Sequence, residues 1–309
     1  MKNILFGKFL FSSFILLFLL NSCDYGKGQN MPNENEIRDS IPVIIEKEEP
    51  PFVITYKLDS IADMTVWDSL YTPSEKKLIY ALNRIEKVRV GAGVTLLVPD
   101  TISKDLMFYS PFPEDLDLFD SIPKTVLIAQ RIQAFGLYEN GKLIKWGPVS
   151  SGKQSTPTPN GLHYANYKAK RKVSTVNSSW ILPYYFNFMN FEGVGVHQYL
   201  LPGFPASHAC VRLDMDDAMF IYDWAEQWQL DSRGRSIEKN GTPFMVFGEY
   251  DYNTETPPWK ALSTDPEANF INDSEIETLS EYVKAYQKNP KNFKINEEVE
   301  ETEDLLAKR

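Results

Sequence analysis

Pro205-Ala206-Ser207-His208-Ala209-Cys210-Val211-Arg212-Leu213 carries a cysteine with no disulfide partner, because the chain's only other cysteine, Cys23, closes an apolar N-terminal segment. The oxidising side of a membrane makes an idle thiol a liability, so an exported chain that keeps one points to chemistry. A thiol attacks only as thiolate and needs a base or a positive local field. Two of the three histidines, His197 and His208, lie just upstream. His197 ends Gly193-Val194-Gly195-Val196-His197, which reads as a strand. His208 is two residues from Cys210, and on an extended strand the two side chains share a face. After the cysteine the period changes. Ala218, Ile221, Tyr222, Ala225 and Trp228 fall on one helical face, with Asp214, Asp216 and Asp217 at its start. A helix beginning there would leave N–H groups behind the thiol that favour the anion. The plainer reading is a small packing cysteine among hydrogen-bonded histidines.

Upstream of this stretch the texture is β-rich from Lys124. Val126-Leu127-Ile128 opens a strand, and Ile132, Phe135 and Leu137 continue the apolar pattern. Asn140-Gly141 predicts a tight hairpin, since both residues tolerate positive φ. Leu143 to Val149 returns as its partner. Ser151-Gly152-Lys153 and Thr156 to Gly161 read as turns. Aromatic strands follow at His163 to Tyr167 and Tyr184 to Met189, and Thr242 to Tyr250 reads as the last strand. Lys168, Lys170, Arg171 and Lys172 read as a basic cluster on a solvated loop, able to meet substrate carboxylates. His163 is expected on a strand surface, away from the thiol.

Residues 53–100 form a small module. Ser74 is a candidate cap for a helix bearing Leu78, Ile79, Leu82 and Ile85, and Val94 to Val98 is a short strand. Residues 101–121 read as a linker. Residues 251–309 are a polar, partly helical C-terminal extension, with weak periodicity over Ser274 to Tyr286. The net charge is −10. It argues against a basic face for nucleic acid. Much of the acid lies in Glu34 to Glu49 and Glu297 to Glu303, which read as solvated chain.

Lys2, Lys8 and the apolar run Phe9 to Leu20 make residues 1–22 an export signal, too short for a confident span. Leu20-Asn21-Ser22-Cys23 resembles a bacterial lipoprotein signal, which implies lipidation at Cys23. An ordinary signal peptide is the alternative. Residues 23–52 then read as an acidic flexible tether, and the mature protein as lipid-anchored and periplasm-facing, in the inner or outer membrane. Ile79-Tyr80-Ala81-Leu82-Asn83-Arg84-Ile85, Val90-Gly91 and Leu96-Leu97-Val98-Pro99 resemble a degenerate LysM module, a peptidoglycan-binding unit. A ligand-free packing subdomain is the alternative.

Ser207-His208-Ala209-Cys210-Val211-Arg212-Leu213 closely resembles the active-site signature of the L,D-transpeptidase (YkuD-type) domain, Ser-His-Gly-Cys followed by an apolar residue and Asn or Arg. Other blocks follow in the family's order: Tyr138 to Lys142, Val149 to Lys153, Thr158 to Gly161, Leu182 to Phe186 and Gly195-Val196-His197. The resemblance covers about residues 122–250 and implies a mainly β (α+β) chain: a β-sandwich catalytic domain with flanking helices, preceded by the small α/β module.

It implies Cys210 as nucleophile, His197 as general base and His208 as a residue shaping the site. It implies an oxyanion hole from backbone N–H groups at His208, Ala209 and Cys210, with Ser207, Gln198 and Arg212 in support. Tyr184, Tyr185, Trp180 and Gly161 are its candidates for the substrate cleft. The implied reaction is acyl transfer on peptidoglycan tetrapeptide stems through a thioester, releasing D-Ala, with no cofactor, no metal and a monomeric enzyme. Water as acceptor would make it a carboxypeptidase or a crosslink-cleaving hydrolase. A non-enzyme alternative is a wall-binding lipoprotein with a decayed site. Two departures stand out. Ala209 replaces the family's glycine, at a cost of about 1 kcal/mol or more if φ is positive there. Gln198 follows His197, which is tolerable if its backbone carbonyl orients the imidazole.

Overall fold

Asp63 and Thr72 each accept a backbone N–H from two or three residues ahead, and each starts a helix. In the computed structural model, which describes residues 54–103 and 105–293, they follow strand β1 (Tyr56–Ser60) and open α1 (Met64–Leu70) and α2 (Pro73–Leu82). Cys23, the signal and tether segments, and the acidic run Glu297 to Glu303 lie outside the described residues. Thr72, not Ser74, caps α2. Pro73 takes the first helical position, where no N–H is needed, and Glu75 closes a reciprocal capping box. β2 (Thr95–Pro99) returns antiparallel to β1. Ile61, Trp67, Ile79, Tyr80, Leu96 and Val98 fill the space between.

Leu78 and Leu82, on the other side of α2, pack into the main body. Arg84 follows them in. Its φ is +55°, its side chain is wholly buried, and its guanidinium lies 5.7 Å from the Trp146 ring and 5.0 Å from the Trp259 ring. It donates to the carbonyls of Leu82 and Ile132 and to Asn269 Oδ1. Tyr109, Phe112 and Phe119, from the stretch expected as a linker, are buried in the same core.

β3 (Thr125–Ala129), β4 (Ala134–Glu139) and β5 (Lys142–Pro148) form a meander. Asn140 and Gly141 turn β4 into β5 at φ +45° and +80°, the pair of left-handed residues a two-residue hairpin needs. β6 (Gly161–Tyr164), β7 (Lys168–Val173), β8 (Ile181–Met189), β9 (Val194–Gln198) and β10 (Val211–Leu213) lead to α3 (Met215–Trp224). A short hairpin of β11 (Gln229–Leu230) and β12 (Ile237–Lys239) precedes β13 (Pro243–Phe247), α4 (Pro258–Ala261) and α5 (Asp273–Lys288). α3 is shorter than its apolar period implied, because Ala225 is already its C-cap and Trp228 lies beyond it.

The chain is mainly β with flanking helices, as expected. A five-stranded sheet runs β5-β4-β3-β13-β6 and a four-stranded sheet β10-β9-β8-β7. Val126 and Ile128 of β3, with Phe244 and Val246 of β13, meet Phe186 and Phe188 of β8 in one core. Phe188 stacks on Phe244 at 5.0 Å between ring centres. The alternate residues Leu127, Ala129, Met245 and Phe247 face the other way, into a core that includes Leu279, Val283 and Tyr286 of α5. Burial on both faces explains why β3 and β13 show no polar alternation. The polar C-terminal segment therefore supplies an amphipathic helix to the main core.

Candidate active site

β10 runs parallel to β9, with Val211 beside Val196 and Arg212 beside His197. Cys210, one residue before β10, is thus level with Gly195. The thiol and the imidazole come from adjacent strands into one cleft, lined also by Tyr185, Trp180, His208 and Arg212. Sγ of Cys210 donates to the Gly193 carbonyl at 3.8 Å. Burial pushes the thiol pKa up, against weaker pulls from the Gly195 N–H and Arg212. Val211 to Leu213 separates Cys210 from α3, where the Asp217 N–H donates to the N-cap Asp214. The helix start expected behind the thiol is therefore spent elsewhere, because three apolar-flanked residues join the sheet first.

His197 is buried, and its Nδ1–H donates to the Gln198 carbonyl at 2.9 Å. A carbonyl can only accept, so Nδ1 carries the proton and Nε2 keeps the lone pair. Burial lowers its pKa to about 4, with Arg212 adding to the effect and the Gln198 carbonyl opposing it. The imidazole is neutral at pH 7. Gln198 thus meets its condition, acting through its backbone while its side chain stays free to vary.

His208 does not lie beside the thiol on a strand. Residues 207–210 form a turn with Ala209 at φ +72°, so the two-residue alternation fails there. The His208 ring packs 5.1 Å from Trp180, with Nε2 3.3 Å from Lys153 Nζ. Burial, Lys153 and Arg212 together lower its pKa.

Two turn blocks hold this loop. Ser207 donates its N–H to Ser151, and the Lys153 N–H returns to the Ser207 carbonyl. The Ser207 hydroxyl bonds the Cys210 carbonyl. The Ala209 N–H donates to Thr156, and the Thr158 hydroxyl bonds the Ala209 carbonyl at 2.7 Å. Gly152 is required where the blocks touch, since a Cβ there would sit 2.2 Å from the Thr156 oxygen. The Ala209 N–H is consequently unavailable to an oxyanion. Among the described residues, the N–H groups of His208 and Cys210 find no acceptor. Arg212 is a clamp for the loop between His197 and Cys210. Its Nη1 and Nη2 reach the carbonyls of Leu200 and Ala206, and its guanidinium lies over the Tyr199 ring.

Of the cleft candidates, Trp180 and Tyr185 line the pocket, whereas Tyr184 and Gly161 do not. Tyr184 and Tyr185 are neighbours on β8 and face opposite ways, so Tyr184 packs against Tyr222 of α3. Gly161 begins β6 and pairs with Val246 in the other sheet. His163 is likewise on β6, beside Phe188. The basic cluster is strand β7 rather than a loop, and its Lys172 lines the cleft. The sequence reading missed the bonds beneath the thiol. Asn187 donates to Tyr185 Oη at 2.6 Å, and Tyr185 donates to the Gly193 carbonyl at 2.8 Å, the same oxygen that takes the thiol. The available signal was Asn187, a polar residue inside a buried aromatic run.

Residues 124–261 match the YkuD family model, described as the L,D-transpeptidase catalytic domain. The matched stretch holds Cys210, His197 and both turn blocks. Among solved structures, the chain is similar to an L,D-transpeptidase of Stackebrandtia nassauensis at 28% identity over 41% of this chain and 57% of that one, with a TM-score of 0.34. It is also similar to an L,D-transpeptidase from Mycobacterium smegmatis (21% identity, 41% and 59% covered, TM-score 0.34). Mycobacterium tuberculosis L,D-transpeptidase 1 shows 25% identity, with 40% and 62% covered and a TM-score of 0.31. The match spans less than two thirds of each of these chains. No curated protein matches the chain.

Proposed function

We propose that this protein is a peptidoglycan L,D-transpeptidase working through a thioester on Cys210. The observation that carries the reading is the meeting in one cleft of Cys210 with His197, a neutral imidazole whose Nδ1 is fixed and whose Nε2 has no partner among the described residues. With the imidazole pKa lowered to about 4 and burial pushing the thiol up, the neutral thiol–imidazole pair is the resting form. The proton therefore moves as the bond forms. Sγ attacks the carbonyl that joins diaminopimelate to the terminal D-Ala, and the thiol proton passes to Nε2 of His197. The N–H groups of His208 and Cys210 receive the oxyanion. Collapse breaks the C–N bond, His197 returns the proton to the leaving amine, and D-Ala departs. An amine from a second stem then attacks the thioester and gives its proton to His197, the C–S bond breaks, and His197 returns the proton to Sγ.

The sequence patterns support three further parts of the reading. Cys23 is lipidated and tethers the enzyme to a membrane, residues 53–100 act as a LysM-like wall-binding module, and the enzyme is a monomer facing the periplasm. Incubation with purified tetrapeptide muropeptides tests the reaction. Crosslinked dimers and free D-Ala, absent with Cys210→Ala, are expected. Tripeptides alone would make water the acceptor, and unchanged substrate would overturn the proposal.

A further inference from the structure

Lys172 and Arg212 are the lysine and arginine that line the cleft among the described residues, and Lys172 is the less tied to the protein's own carbonyls. Arg212 is held by two carbonyls and the Tyr199 ring. Lys153 lies against His208. Lys168, on the same face of β7, reaches the carbonyls of Tyr222 and Ala225 under α3. Lys172 instead donates once, to Tyr167 Oη at 3.1 Å. Its ammonium lies 5.0 Å from the Tyr167 ring and 5.7 Å from the Tyr185 ring. An ammonium has three N–H donors, so two remain. No carboxylate of the described residues pairs with it.

Its position ties it to the thiol. Tyr185, under the ammonium, holds the Gly193 carbonyl that accepts from Cys210. The two tyrosine faces hold the cation in place and shield it partly from water, which strengthens its attraction for an anion. In a chain with a net charge of −10, a spare cation in this cleft does not reflect general basicity. A peptide with its reacting carbonyl at Sγ carries its next groups along the cleft at about 3.4 Å per residue when extended.

We propose that Lys172 is a specificity-determining residue that binds a free carboxylate of the acyl donor, adjacent to the bond being exchanged. The inference rests on the acyl-transfer reading for the identity of the peptide. Two carboxylates of such a donor have this chemistry: that of the leaving D-Ala, and that of the diaminopimelate D-centre.

Calorimetric titration of the full-length Cys210→Ala protein separates them. The probes are a disaccharide-tetrapeptide with free acids, one amidated at D-Ala and one amidated at the D-centre. Loss of a charged hydrogen bond predicts that one amide binds about tenfold or more weakly. Adding Lys172→Met should impose the same loss on the free acid and none on that amide. Lys172→Arg should keep most of the affinity, which separates recognition from misfolding. Free-acid binding within twofold after Lys172→Met, or no binding by the parent, overturns the inference. Lys172-dependent binding without turnover by the wild type would remove the acyl-transfer reading and leave the carboxylate subsite standing.

Discussion

Replacing His197 with glutamine removes a buried imidazole whose folded pKa, about 4, lies well below its ordinary 6.5. The direction of the linkage follows from proton counting. Between these values the unfolded chain binds a proton at this residue and the folded chain does not, so stability rises with pH across the window. The contribution is complete above pH 6.5, is lost as pH falls towards 4, and is constant below that. At about 1.4 kcal/mol for each tenfold change, it amounts to about 3 kcal/mol. Asp217 titrates with the opposite sign in an overlapping range. Burial and Asp214 push its carboxyl up to about 7, against the opposing pull of Lys145 at 2.7 Å, so its contribution is present below 3.8 and lost as pH rises to 7. The quantity to measure is therefore the difference between wild type and His197→Gln.

Urea unfolding at intervals from pH 3.5 to 8, with the slope m checked for constancy, gives that difference. It should be flat above pH 6.5, fall by about 3 kcal/mol down to pH 4, and then level. The same imidazole sets the acid limb of kcat/KM near pH 4. A difference that is flat within 1 kcal/mol, or an acid limb at 6.5, would refute the claim that this group is held neutral by burial.

Arg84→Ala should cost about 3–5 kcal/mol by stranding three buried acceptors and opening the gap between Trp146 and Trp259, seen as a fall in Tm of about 8–15 °C. Ala209→Gly removes about 1–2 kcal/mol of left-handed strain and gives back about 0.4–1 kcal/mol of unfolded-state entropy, so Tm should rise by about 1–4 °C; a fall would contradict the φ of +72°. Glu86 accepts from the Leu201 N–H, and its own N–H donates to the Leu201 carbonyl, inside the loop joining His197 to Cys210. Glu86→Ala should lower kcat several-fold with little change in KM, and Glu86→Gln, which keeps the acceptor, should restore it.

The β3 to β5 meander was legible because its turn needs two left-handed residues and Asn140-Gly141 supplies them. β1 and α1 were not, since β1 buries little of either face and α1 buries only Trp67. Lys168 to Lys172 read as a loop because charge there outweighs period. It is an edge strand of the four-stranded sheet, where Lys170 and Arg171 face solvent and discourage further pairing. The pairing of Cys210 with His197 was implied by the family resemblance, since period alone left both His197 and His208 as candidate bases. The helix after Cys210 formed at Met215–Trp224, but the strand Val211 to Leu213 that sets it away from the thiol was too short a run to tell from helix by period. Tyr184 and Tyr185 could not be separated in advance, since alternation says they oppose but not which one faces the cleft.

The central claim is a covalent bond at Cys210. Acid-quenched mass spectrometry of the protein mixed with tetrapeptide muropeptide reads it most directly. A mass increase equal to the donor minus D-Ala, mapped to the peptide holding Cys210 and absent in Cys210→Ala, is the expected result. D-Ala release with no adduct at Cys210, or with an equal rate in Cys210→Ala, would contradict it.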